Sequence, residues 1–199
     1  MNEVLRATAV AVNALRDGVA FALIAGTELA RPLYPDDGTM AIAGPRTKVA
    51  AKRALVRLRP AGGTAIGQWL RLARYIFTSR PADLRHAILL TDGRNEHETP
   101  DGLDSAIDSC SGVFTCDCRG VGTDWEVAEL RKIATGLLGT VDIVPEPEGL
   151  EPDFAAMMEN AMGKQVADVA LQIWMPQQDR KSTRLNSSHL TASRMPSSA

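Results

Sequence analysis

Two loops of this chain carry the residue types best suited to chemistry, one a hydroxyl and the other a carboxylate. Thr64 follows Gly62 and Gly63 and stands just before a helical pattern over residues 65–78. Asp92 ends the apolar run Ala87-Ile88-Leu89-Leu90-Thr91, and Gly93 follows it. A run of that length reads as a buried parallel strand, so Asp92 is delivered to the carboxyl edge of a sheet, where open α/β sheets bind their ligands. Threonine and aspartate are hard oxygen donors, the kind that Mg²⁺ accepts while keeping several of its waters. Either residue alone is a weak signal, because Asp-Gly is a common turn pair and a threonine before a helix is an ordinary N-cap. The pairing of the two is what points to a metal site.

Other constellations fail on their own chemistry. Cys110, Cys116 and Cys118 are an odd count, and His97 is the only nearby fourth ligand for a zinc reading. Alternation through residues 113–121 puts Cys116 and Cys118 on one strand face, where free cysteines behave as small buried hydrophobes. Reduced thiols point to the cytoplasm. Asp37-Gly38-Thr39 resembles part of the haloacid-dehalogenase-type phosphatase motif Asp-x-Asp-Gly-Thr, but Pro35 occupies the nucleophile position. Gly120-x-Gly122 lacks the third glycine of a dinucleotide fingerprint. His86, His97 and His189 fall at a strand start, on a loop and near the end of the chain, and no Ser-His-Asp or Cys-His arrangement presents itself. The expectation is therefore a protein that is not an enzyme. Trp125 and Trp174 read as packing residues.

The elements that must position Thr64 and Asp92 alternate along the chain. Helical patterns fall at residues 4–15, 47–58, 65–78, 103–110, 125–138 and 153–166, with Thr123 or Asp124 as N-cap of the fifth. Phe154, Met157, Met158 and Met162 make the last of these amphipathic. Strand patterns fall at 19–26, 29–34, 86–91, 113–120 and 140–144, and the turn Pro35-Asp36-Asp37-Gly38 follows the second. The alternation predicts an α/β fold, a doubly wound, mostly parallel sheet with helices on both faces.

The order Gly-Gly-Thr, helix, apolar strand, Thr-Asp-Gly resembles a von Willebrand factor type A (VWA) domain over roughly residues 1–175. The resemblance implies a Rossmann-like sheet bearing a metal-ion-dependent adhesion site (MIDAS), with oxygen ligands from three loops. Thr64 and Asp92 match the threonine and the aspartate of the second and third loops. No Asp-x-Ser-x-Ser, the first-loop motif, occurs in the chain. In the family that motif precedes the first helix, whereas this chain opens inside a helical pattern. The resemblance thus implies a domain truncated at its N-terminus, lacking its first strand, in which Thr64 and Asp92 form a partial shell not competent for Mg²⁺ as it stands. It further implies an open metal position completed by an acidic side chain of a protein partner, with Gly63, Gly93, Arg94, Asn95 and Glu96 on the surrounding rim. A metal-dependent protein–protein interaction module is the leading reading. The alternative is an accessory VWA subunit of an ATP-driven chelatase-like or AAA+ assembly.

Composition bounds the remaining choices. Residues 1–168 suit one domain with a single core, residues 169–178 read as the start of a following strand or region, with the strand pattern at 169–174, and residues 179–199 read as a non-native disordered tail. The stretch from Asp179 to His189 and that from Ser193 to Ala199 resemble a translated sequencing-library adapter. The formal net charge is −2, which leaves no footprint for nucleic acid. The basic cluster Lys48, Lys52, Arg53, Arg57 and Arg59 reads as a solvated helix face. No apolar run reaches membrane-spanning length, so no membrane partner is expected.

Overall fold

Fourteen-residue and shorter segments make up the whole architecture, in the order helix, four short strands, two helices, and then strand and helix in alternation. The computed structural model describes residues 2–59, 62–121, 125–144 and 150–163. The helices are α1 (Asn2–Ala14), α2 (Pro45–Arg57), α3 (Ile66–Thr78), α4 (Pro100–Cys110), α5 (Val127–Gly136) and α6 (Leu150–Gly163). The strands are β1 (Ala20–Phe21), β2 (Leu23–Gly26), β3 (Ala30–Tyr34), β4 (Ala41–Ile42), β5 (His86–Thr91), β6 (Thr115–Val121) and β7 (Val141–Val144). The expected strand at 169–174, Trp174 and the tail from Asp179 lie outside the described residues.

Three parallel strands in the order β5-β6-β7 form the sheet that carries Asp92. Helices cover both of its faces, in keeping with the α/β reading. Because side chains alternate along a strand, Leu89 packs with Cys116 and Cys118 on one face while Ile88 and Leu90 point to the other. The first face is closed by Ile66 and Leu70 of α3, Leu103 and Ile107 of α4, and Leu130 and Ile133 of α5. Ala7 of α1 and Phe154 of α6 close the second. Met158 continues this layer toward Val12 and Phe21; the side chains of Met157 and Met162 lie outside those described. Trp125 packs against the first core, as a packing residue should.

The run at 19–26 does not form the single strand expected of it. It breaks at Ala22, where the chain changes partners: β1 pairs antiparallel with β4, and β2 pairs antiparallel with β3. An apolar run shows that a segment is buried but not which neighbour supplies its ladder, and here two neighbours share it. Helix starts also differ from the periodic pattern. α4 begins at Pro100 rather than at 103, because Thr99 caps it by accepting a bond from Gly102 N–H at 3.1 Å, with proline at the first helical position and Asp101 in the first turn. α5 begins at Val127 with Glu126 at its N-cap and no side-chain cap bond, while Thr123 and Asp124 lie outside the described residues.

The amino edge of the sheet is pinned by polar side chains. His86 Nδ1 lies 2.9 Å from Thr115 Oγ1, and its Nε2 lies 3.1 Å from Asp117 Oδ2. Asp117 Oδ1 accepts from Thr140 N–H at 2.7 Å and from Thr140 Oγ1 at 2.9 Å. Burial opposes ionisation of this carboxyl, yet His86 and the Thr140 donors outweigh it and hold Asp117 well below the usual carboxylate range. The pin ties the strand starts together at the end of the sheet away from Asp92.

Candidate metal centre

At the carboxyl edge of β5 the chain turns sharply, and Thr91 holds the turn. Its side chain is buried, and its Oγ1 donates to Gly93 O at 2.9 Å and accepts from Gly93 N–H at 3.2 Å. Asp92 is thereby left outside, exposed at the top of the strand. The loop carrying Thr64 comes up beside it. A Cβ added to Gly93 would lie 3.0 Å from Thr64 Oγ1, so the absence of a side chain at 93 lets the two loops close on one another. His97 N–H donates to Thr64 O at 3.1 Å, and the His97 ring covers Gly63 so closely that it leaves no room for a Cβ there. The two loops are thus zipped along their length.

Thr64 does not cap α3. The N-cap is Ala65, which has no side-chain bond to offer, and the first turn of α3 holds no acidic residue. Its leading amides are satisfied from the other loop. Asn95 Oδ1 accepts from Ile66 N–H at 2.9 Å, and Glu98 Oε2 accepts from Gly67 N–H at 2.6 Å. Glu98 Oε1 in turn takes Arg71 Nη1 at 2.9 Å, and Arg71 Nη2 donates to Gly102 O at 2.7 Å. A carboxylate at a helix N-terminus is favoured by the macrodipole, and this one is further anchored by a guanidinium. The consequence is that the Thr64 hydroxyl is spared. Among the described residues neither Thr64 Oγ1 nor the Asp92 carboxylate has a hydrogen-bond or ion-pair partner.

The expected rim is only partly a surface. Arg94 and Glu96 are exposed, joined by a turn in which Glu96 N–H donates to Arg94 O at 2.9 Å. Gly63 lies under His97 and Gly93 is half-buried. Asn95 uses its side-chain carbonyl on α3, and its N–H reaches Glu129 Oε2 of α5 at 3.4 Å. Burial pushes the Glu129 carboxyl up from its ordinary value. Glu98, Arg71 and Glu129 were not singled out from sequence, and His97 entered only as a fourth ligand in the rejected zinc reading. The available signal was the unmet need of α3: a helix opening Ala-Ile-Gly, with no capping side chain and no acidic first turn, requires acceptors from elsewhere.

The donor set suits a hard divalent cation, since a threonine hydroxyl and an aspartate carboxylate, neither with a competing partner among the described residues, stand on adjoining loops. It is short of a full protein shell. Among the described residues no group of three or more His, Cys, Asp or Glu side chains is placed to hold a metal. Thiolates contribute nothing, because all three cysteines are buried and free. Burial pushes the Cys110 thiol up, and the Cys118 thiol together with burial pushes Cys116 up much further.

A doubly covered parallel sheet with a threonine loop and an aspartate loop joined at its carboxyl edge defines the class. Residues 2–143 match the model of the von Willebrand factor type A domain, and the chain belongs to that family. It superposes with a TM-score of 0.81 on a von Willebrand factor type A structure from Catenulispora acidiphila, at 51% identity, covering 83% of this chain and 39% of that one. Proximal thread matrix protein 1 from the mussel byssus, solved with zinc in its MIDAS motif, is 22% identical with a TM-score of 0.63 over 80% of this chain and 40% of its own. BatB from Bacteroides thetaiotaomicron, at 18% identity, shares the fold with a TM-score of 0.63 over 82% of this chain and 88% of its own. An uncharacterised Synechocystis protein is 32% identical over 104 residues, which is 51% of this chain and 25% of that protein. The chain therefore spans well under half the length of both the Catenulispora and the Synechocystis relatives.

Proposed function

We propose that this chain is a non-enzymatic protein-binding module of the kind whose contact with its partner runs through a divalent cation, Mg²⁺ by preference, for which Thr64 Oγ1 and the Asp92 carboxylate supply two ligands, too few to hold it tightly by themselves. The observation that carries this reading is the unengaged hydroxyl and carboxylate on two loops that Gly93 lets close together. When bound, the cation supplies a positive position that an acidic side chain of the partner completes. The residues of the chain do the rest. Glu98 and Asn95 take over the capping of α3 and so keep Thr64 available, while Thr91 fixes the direction of Asp92. Arg94 and Glu96 border the approach. Membership of the family and the zinc-occupied MIDAS of the mussel protein support the reading.

Two protein oxygens leave most of an octahedral shell to water, so affinity for the free cation is weak and a partner carboxylate contributes a large share of the binding. Calorimetric titration of the chain with Mg²⁺ and Zn²⁺, alongside Asp92→Ala and Thr64→Val, tests this. Weak binding abolished by Asp92→Ala supports the assignment. Binding unchanged in both variants would place the cation elsewhere and overturn it.

A further inference from the structure

The basic cluster of α2 divides into two sets once its neighbours are in place. Lys48 Nζ pairs with Asp17 at 2.9 Å, and Lys52 Nζ donates to Asn13 Oδ1 at 2.8 Å, so these two are spent tying α2 to the end of α1 and the turn after it. Arg53 and Arg57 are exposed one helical turn apart and, with Arg31 of β3, have no acidic partner among the described residues. All three line a groove of about 520 Å³ between β3 and α2, whose apolar surface includes Leu33, Pro35 and Leu58. Arg53 and Arg57 also border a second, shallower groove, beside Val49 and Val56. Val56 is 76% exposed and Val49 44%, high for valines on a helix that has a buried face elsewhere. Unpaired guanidinium groups thus stand between two apolar strips.

We propose that this groove is a docking site for an acidic protein segment in which carboxylates alternate with aliphatic side chains. Charge complementarity selects the sign of the occupant. The chain as a whole is weakly acidic, with a formal net charge of −2, so an acidic segment is drawn by the local arginines and not by the overall field. The apolar surface selects its second feature, since a bare polyanion leaves Leu33, Leu58 and the two valines uncovered. Asp36 lines the same groove but is outnumbered by Arg31, Arg53 and Arg57, and nucleic acid is disfavoured because a phosphate backbone leaves the apolar surface uncovered and because the basic strip is short. A membrane is disfavoured by shape, because a plane of headgroups does not enter a concavity. Arginine suits the role because its planar fork takes a carboxylate in bidentate fashion and its stem packs on aliphatic surface. The site is separate in sequence and element from the Thr64 and Asp92 loops, and it needs no metal.

Fluorescence anisotropy of a labelled peptide of alternating glutamate and leucine, titrated with the full chain in the presence of EDTA, tests the proposal. Saturable binding that weakens as salt rises is expected. Arg53→Glu combined with Arg57→Glu should lower affinity by about tenfold or more, since two favourable charge pairs become repulsive. Ala54→Trp, which fills the groove and leaves every charge in place, should lower it as well. Circular dichroism of each variant guards against misfolding, and the exposed arginine pair decides the matter if the tryptophan variant does not fold. Wild-type affinity in the charge-reversed variant would overturn the proposal. So would displacement of the peptide by oligothymidylate or by phosphatidylserine vesicles at comparable concentrations, because the occupant would then be of another class.

Discussion

Glu98 shows how a residue remote from the metal decides whether a ligand is available. Its carboxylate satisfies Gly67 N–H and Arg71 together, and its side chain is only 8% exposed. Replacing it with alanine leaves the buried Gly67 amide unpaired and strips Arg71 of its carboxylate, leaving that guanidinium only Gly102 O, a loss of about 2 kcal/mol or more. We expect Glu98→Ala to lower stability by that amount in urea unfolding and also to weaken Mg²⁺ binding, because Thr64 becomes the nearest substitute cap. Retention of full Mg²⁺ affinity in that variant would show that the strap does not position Thr64. Asp117 is the second residue with a readable consequence. Its folded carboxyl lies below its unfolded value of about 3.9, so the stability it contributes is present above that pH and is lost as pH falls through and below it. Asp117→Ala should therefore destabilise the domain near neutral pH by about 2 kcal/mol and flatten the decline in stability below about pH 4. An unaltered acid limb in the pH profile would remove Asp117 as its source.

Among the elements, β5 has an unusual position. Both of its faces are packed, as in the middle of a sheet, but among the described residues only β6 supplies it with a ladder. A residue in a parallel strand sends its N–H and its C=O to the same side. Thr115 N–H bonds to Arg85 O, so the odd-numbered residues of β5 face β6, and Ile88 and Leu90 direct their amides to the other edge. Amide hydrogen exchange should accordingly show Ala87 and Leu89 well protected and Ile88 and Leu90 exchanging much faster. Equal protection along the strand would mean that the second edge is covered.

For the whole molecule, metal and fold are linked by mass action. A cation that binds only the folded state stabilises it by RT ln(1 + [L]/Kd), about 1.4 kcal/mol at ten times Kd. In a domain of this size that is a rise in Tm of roughly 3 to 6 °C. Saturating Mg²⁺ should produce a shift of this order in the wild-type chain and none in Asp92→Ala. A shift that survives the substitution would indicate a cation site other than the proposed one.

Much of this was legible in the chain itself, for reasons that are local. Periodicity depends on the chemistry of neighbouring residues, so β5 falls at 86–91 as its apolar run requires, and Cys116 and Cys118 share a face because alternation puts them there. A glycine beside an aspartate or a threonine marks a turn at an element end, which placed Thr64 and Asp92 on loops. What the sequence could not supply were the partners of each segment. The run at 19–26 is divided between β3 and β4, α3 is capped by Asn95 and Glu98 from a distant loop, and the lysines of α2 are occupied while Arg53 and Arg57 have no acidic partner among the described residues. Hydrogen-bond and charge satisfaction are collective, closed only when all donors and acceptors meet in space, and so the fold alone determined which side chains were spent on structure and which remained for binding.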